Sequence, residues 1–352
     1  MEQYFAYTDE FLTAKRSIGD PVVDLFTEDI FADPGEKQLW REWLSNLNEN
    51  TQLQLLPALY NRHEWIKAAD QLPVWANQRM LQNGSAFFAR NSETIMTLLG
   101  LLSLPYCYTA ANGAMVLYLS DRMRSDTRKR LYETAEFVWQ VMAPNAFKSD
   151  GNGFAAILKV RAMHAAVRYY TLNSGKWNDD WGVPVNQEDM AGTNLSFSLI
   201  VIRGLRKLGY TVSRDEQQGF LHLWNVIGFL SGLNRDLIPA NGKQAQLMDT
   251  AIAKRQFSAS LHGATLTKSL TDHITTINTS NVSTNDILGL MRYLLGPNVS
   301  DMLSINAPDL PAYKLSIIKT INLFKSLKPQ GDVKVSYQQA FDKFKLQKPQ
   351  QN

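Results

Sequence analysis

Histidine is scarce in this chain, so each one can be weighed for chemistry: His63, His164, His222, His262 and His273. No two are four residues apart. His63-Glu64 has no second histidine one turn on, and the zinc-protease helix motif is therefore absent. There is no nucleophile elbow for a Ser-His-Asp triad and no glycine-rich phosphate loop. The single cysteine, Cys107, excludes an internal disulfide and a cysteine-rich metal site. Within Tyr106-Cys107-Tyr108 it reads as a small buried hydrophobe.

His164 stands apart because of its neighbours, Arg161-Ala162-Met163-His164-Ala165-Ala166-Val167-Arg168. On a helix, Ile157, Arg161, His164 and Arg168 share one face. Arginines on a core-facing stripe are costly unless a negative group meets them. The propionates of a haem are one such group, and guanidinium suits carboxylate geometrically. Small Ala165 and Ala166 would let a flat macrocycle approach, and nearby positive charge keeps an imidazole in its neutral, ligating form. From spacing alone, a partly exposed basic stripe that happens to carry a histidine explains the pattern at least as well. In a second cluster, Arg130-Leu131-Tyr132-Glu133-Thr134, Arg130 and Thr134 share a face continued by Phe137 and Val141. Its plain alternative is a surface arginine in a run with Arg128 and Lys129.

Taken together, the two segments resemble the family of the latex-clearing rubber oxygenases and the ER-bound oxygenase MpaB. That family has an Arg-x-x-x-Thr helix followed by a helix bearing Arg-x-x-His-x-x-x-Arg, and the separation of Arg130 from His164 is similar. A third block, from Leu221 through Trp224 and Gly228 to Gly232, resembles the family's Trp-x-x-x-Gly-x-x-x-Gly helix, and Gln187-Glu188-Asp189-Met190 resembles the start of the helix between. The resemblance spans roughly residues 85–295. It implies an all-α fold, a helical bundle with a globin-like core around haem b, and His164 as the proximal iron ligand. Arg130, Thr134, Arg161 and Arg168 become candidate cofactor-binding residues, with Glu133 and Thr134 as candidate catalytic ones. Two departures bear on substrate. Glu133 stands where the rubber-cleaving branch has lysine, and Ala114 where that branch has an acidic catalytic residue, so cleavage of polyisoprene is not expected. Glu133 is either a distal acid/base or weak sixth ligand, or a solvated helix carboxylate. His222, on the Trp224 helix, is the rival ligand but reads as a satisfied core or boundary histidine; the other three have no supporting pattern.

The elements that must position these residues are helical almost throughout. Asp33-Pro34-Gly35-Glu36 reads as a helix start with an apolar stripe of Trp40, Trp43, Leu44 and Leu47 behind it. Ser125-Asp126 reads as the start of the Arg130 helix, stopped by Pro144. The His164 helix is predicted from about Phe154 to Leu172, ended by Asn173-Ser174-Gly175. Ser213 to Glu216 is a capping box, and Asn285-Asp286 opens a helix closing at Gly296-Pro297. No alternating strand pattern and no repeat is visible. The charge-free stretch between Glu93 and Asp121 is long enough to span a bilayer, but Gly100, Pro105, Asn112 and Gly113 favour a buried helix pair broken near Pro105, which would wall an apolar pocket.

The 352 residues read as one all-α domain: a helical extension over 1–90, a haem-binding core over 91–300, and C-terminal helices ending in a frayed tail. With 36 basic and 33 acidic residues the chain is close to neutral, which argues against nucleic acid. The N-terminus lacks a secretory pattern, and the expected location is cytoplasmic. The expected activity is that of a haem b-dependent oxygenase or peroxygenase on an apolar small molecule with dioxygen or peroxide. A haem sensor or carrier, and a cofactor-free helical interaction protein, stay open.

Overall fold

The computed structural model describes residues 7–55, 57, 60, 63–120, 127–277, 282–326 and 331–348. The expected helix start at Ser125-Asp126 and the expected frayed tail at Pro349–Asn352 lie outside the described residues. Among the described residues the structure is all-α, without a named strand; an isolated bridge joins Ala110 to Phe257.

In chain order the helices are α1 (Asp9–Arg16), α2 (Pro21–Ala32), α3 (Pro34–Asn46), α4 (Glu64–Lys67), α5 (Gln78–Leu98), α6 (Leu104–Tyr108), α7 (Ala111–Leu119), α8 (Thr127–Met142), α9 (Gly153–Leu172), α10 (Gln187–Phe197), α11 (Leu199–Lys207), α12 (Arg214–Leu230), α13 (Gly242–Gln256), α14 (Leu261–Ile277), α15 (Thr284–Leu295), α16 (Pro297–Met302), α17 (Ala312–Ser326) and α18 (Val333–Lys345). Several boundaries follow from local chemistry. Asp33 accepts from the amides of Gly35 and Glu36 to start α3. Ser213 and Glu216 form the capping box of α12. Gly296, at φ +86°, ends α15 and hands over to Pro297.

The main core is built on the long crossing of α5 with α12. Gly84 and Gly219 meet there: a Cβ on Gly84 would stand 2.5 Å from the Gly219 carbonyl oxygen. Only a bare backbone permits that approach, and it lets Phe87, Phe88, Phe220, Leu223 and Ile227 close around it.

The charge-free stretch differs from the expectation. The chain stays helical past Leu98 through a π-helical segment, Leu99–Ser103, into α6, and the break comes at Thr109-Ala110. Pro105 has no N–H and its ring crowds the preceding turn; the widened turn ahead of it absorbs both demands, so Pro105 opens α6 within the rod. Among the described residues no helix is long and apolar enough to cross a membrane.

The helices that matter most for chemistry are α8 and α9. They pack against each other and are joined by the short connection 143–152, so they run antiparallel. Glycine makes the turn possible: a Cβ on Gly151 would sit 2.0 Å from the Asn145 carbonyl oxygen. Buried Asn50 pins it, donating to the carbonyls of Ala146 and Lys148 and accepting from the Ala155 amide. α9 then lies between two apolar clusters. Ala156 and Ile157 belong to the main core, whereas Phe154, Leu158, Ala162 and Ala165 pack on Val23, Phe26, Ile30, Trp40, Tyr60 and Trp65 of the N-terminal segment.

Candidate functional site

The antiparallel hairpin sets residue 130 of α8 at the level of residue 164 of α9. The same register puts Glu136 beside Lys159, whose ammonium feels its charge. Arg130 is in turn close enough to His164 to help depress the imidazole pKa. The two motif segments are thus brought together.

A small cleft lies on the Arg130 side. Its walls are Leu104, Tyr108, Leu117, Thr127, Arg130, Leu131 and Thr134. Three of these come from the charge-free stretch, as expected of a region supplying apolar walls. Arg130 reaches Ser120 Oγ at 3.4 Å, and the Thr134 hydroxyl donates to the Arg130 carbonyl oxygen at 3.0 Å. Burial pushes the Tyr108 phenol well above its ordinary range, although the positive Arg130 pulls the other way. The phenol is therefore a neutral donor, and the cleft's charge is that of Arg130. Glu133 does not join them. It is exposed and is not among the lining residues. Ala114 is buried on α7.

His164 keeps a partly exposed edge, but its Nδ1 is buried and has no hydrogen-bond partner among the described residues. Burial, aided by the charges of Arg168 and Arg130 and opposed by Asp20, brings the imidazole down to about 4. It is neutral at physiological pH, the form in which imidazole binds a metal. An orphaned buried nitrogen costs free energy unless something satisfies it. A bound iron could, and Arg130, near enough for its charge to act on the imidazole, would suit a carboxylate of a cofactor; His164 itself is not among the residues lining the cleft. On that observation the residues present fit the group.

Arg161 and Arg168 are answered differently from the expectation. Their carboxylates are the protein's own. Asp20 takes Arg161 through Nε at 2.6 Å and Nη2 at 3.1 Å, and Asp24 takes Arg168 Nε at 2.6 Å. Arg168 also donates to the Val185 carbonyl oxygen. Much of the charge balance that suggested propionates is met by these two carboxylates, while Arg168 Nη2 stays buried without a hydrogen-bond partner among the described residues. Asp20 and Asp24 gave no signal in the sequence beyond a helix start at Asp20-Pro21 with an acid one turn later.

The other histidines are held structurally. His222 is buried, and its Nε2 accepts from the Asn77 amide at 2.9 Å while its ring stands edge-on to Trp75. His262 Nε2 contacts the Ala111 carbonyl oxygen at 2.6 Å, and His63 packs edge-on to Phe26. Burial and Arg128 lower the His273 pKa. Cys107 is a part-buried thiol whose pKa burial raises to about 11, consistent with an inert packing residue. No group of three or more His, Cys, Asp or Glu able to hold a metal occurs among the described residues.

The start of α10, Gln187-Glu188-Asp189-Met190, carries a buried ionic cluster. Glu188, fully buried, accepts from Arg16, Arg255 and Gln256. Asp189 pairs with Arg16 at 2.9 Å. The cluster ties α1 and α13 to α10 and steadies the core beside the site.

A family description, "ER-bound oxygenase mpaB/B'/Rubber oxygenase, catalytic domain", matches residues 90–316. The rubber oxygenase of Streptomyces sp. (strain K30) is 26% identical over 251 residues, 69% of this chain; the chain spans 60% of that relative's length. A solved structure of latex clearing protein in the closed state is 23% identical, with a TM-score of 0.77 over 94% of this chain and 91% of that one. Likeness at that identity establishes the fold.

Proposed function

This chain belongs to the family of ER-bound oxygenases mpaB/B' and rubber oxygenases, and from that premise we propose that it is a haem b-dependent oxygenase or peroxygenase whose iron is held by His164 and whose substrate is a small apolar molecule. The observation that carries the reading is the His164 imidazole: neutral, with a buried unpartnered nitrogen, on a helix that lies alongside Arg130 and its cleft. A haem held there by His164 would supply oxygen or peroxide chemistry.

The chain's own groups divide the remaining work. His164 presents a neutral nitrogen because its protonation is suppressed by burial and by Arg168 and Arg130. Arg130, at the apolar wall, would be suited to hold a carboxylate of the cofactor. Leu104, Leu117 and Leu131 exclude water and favour an apolar substrate. Thr134 is the candidate polar contact in the cleft, while Glu133 faces solvent and has no part in the proposed step. Arg161 and Arg168 act on the helix that bears His164 rather than on the cofactor.

The test is paired. Protein reconstituted with haem b should show a Soret band at one haem per chain. His164→Ala should abolish stable binding, whereas His222→Ala should retain it, because His222 already serves the Asn77 amide. A protein that stays colourless, or a His164→Ala variant with a native spectrum, overturns the ligand assignment. Oxygen consumption with apolar substrates separates an enzyme from a haem carrier.

A further inference from the structure

We infer that Asp20, at the N-cap of α2, and Asp24 within it, both of which precede the matched family region, are positioning residues that fix the height and rotation of α9 and so the direction in which His164 presents its imidazole. The inference rests on reading His164 as the iron ligand.

α9 packs on the N-terminal segment through Phe154, Ala155, Leu158, Ala162 and Ala165. Next to His164 these are the small Ala162 and Ala165, which bury area but do little to fix rotation there, since the hydrophobic effect has no direction. Direction comes from the two ion pairs. Arg161 precedes His164 by three residues and Arg168 follows it by four, so the pairs bracket the histidine along one face. α9 also packs on α8, α12 and α7; the two ion pairs, a turn apart on either side of His164, add the directional contacts that fix its rotation at that level.

Both pairs are built tightly. Asp20 stands at the N-cap position of α2, yet its side chain makes no capping bond; both of its oxygens go to Arg161. Asp24 divides its carboxylate, Oδ2 accepting from the Asp20 amide at 2.9 Å and Oδ1 from Arg168. The side chains of Arg168 and Asp20 are only 3% and 6% exposed. Glycines make the room: a Cβ on Gly232 would lie 2.3 Å from Asp20 Oδ2, and one on Gly19 would lie 2.7 Å from Arg168 Cδ. Gln187 donates to the carbonyls of both Gly19 and Gly232, joining the two glycine loops to the start of α10. Trp65 lies against the Arg161 guanidinium at 5.7 Å. The carboxylates, their arginines and the cradle leave no slack in which α9 could turn.

The experiment compares wild type with Asp20→Asn, Asp24→Asn and Asp24→Glu, each as haem-reconstituted and as haem-free full-length chain. Two readouts are taken well below the melting temperature: the ferrous iron–imidazole stretching band, and amide exchange across α9. Both Asn variants should shift or split the band, and exchange over 161–168 should quicken by at least ~tenfold, a small part of what a broken buried pair is worth. Asp24→Glu keeps the charge and should restore protection and give a single band, displaced from that of wild type by the added methylene. A merely structural role would lower the melting temperature and leave the band of the folded protein untouched. Wild-type band and exchange in both Asn variants overturn the inference. Should an Asn variant not fold, Asp24→Glu decides alone, because its added methylene must still move the band if the pair sets the ring. A wild type that binds no haem sinks the function proposed above instead, and exchange in the haem-free chain then decides whether the clamp holds.

Discussion

Replacing His164 by glutamine should make the haem-free protein less sensitive to acid. The folded imidazole titrates at about 4, against ~6.5 for a free histidine. At pH 7.5 both folded and unfolded chains carry it neutral and the difference contributes nothing. As the pH falls through 6.5 the unfolded chain takes up a proton that the folded chain refuses, so the folded state is destabilised until the folded pKa is reached. Between pH 7.5 and 5.0 the gap realised is ~1.5 units, or ~2 kcal/mol at 1.36 kcal/mol per unit, rising toward ~3 kcal/mol near pH 4. The partly exposed ring edge makes these upper figures. Asp24, Asp189 and Asp249 have raised pKa values through burial and act in the opposite sense, binding protons earlier in the fold; they are present in both proteins and cancel. Urea unfolding of wild type and His164→Gln at the two pH values measures the effect. Wild type should lose about 2 kcal/mol more than the variant between them. Equal losses would show that burial does not hold this imidazole neutral, and the argument for a ready iron ligand would fall with it.

Arg130→Ala should leave helicity by circular dichroism unchanged while lowering the haem-to-protein ratio after gel filtration, because Arg130 lines the cleft rather than the core. Glu133→Gln should leave oxygen consumption within about twofold of wild type, as expected of an exposed carboxylate outside the cleft. Gly84→Val should destabilise the fold by ~3 kcal/mol or more in urea titration, since the new Cβ meets the Gly219 carbonyl and Leu223 where α5 crosses α12.

What could be read from the sequence depended on how local the physics was. Helix starts at Asp33, Ser213 and the region of Asn285, and stops at Pro144, Asn173 and Gly296, are decided within a turn by caps, dipoles and missing donors, and the structure places them within a residue or two of the reading. Pro105 was misplaced as a break because a π-helical turn four residues upstream leaves no composition signal. The pairing of Arg130 with His164 required knowing that α8 and α9 fold back on each other. The connection through Gly151 and Gly153 hinted at this, but only packing establishes it. Glu133 could not be settled because residues 133 and 134 differ by a hundred degrees of helix rotation, and no local feature says which of them faces inward.

The arginines beside His164 show where such reasoning stops. Two cations on a buried face require negative partners, and that inference from Arg161 and Arg168 was sound as physics. It cannot name the partner, because a propionate and an aspartate satisfy a guanidinium equally well. The partners are Asp20 and Asp24, 141 and 144 residues away in sequence. Their answering the arginines widens what the motif can mean: an arginine on either side of a histidine reads first as a cradle for an anionic cofactor, and the same pattern can pair the histidine's own helix with carboxylates of the protein. Arg130, on the neighbouring helix, lines the cleft, and His164 Nδ1 is one of several buried side-chain atoms without a hydrogen-bond partner among the described residues.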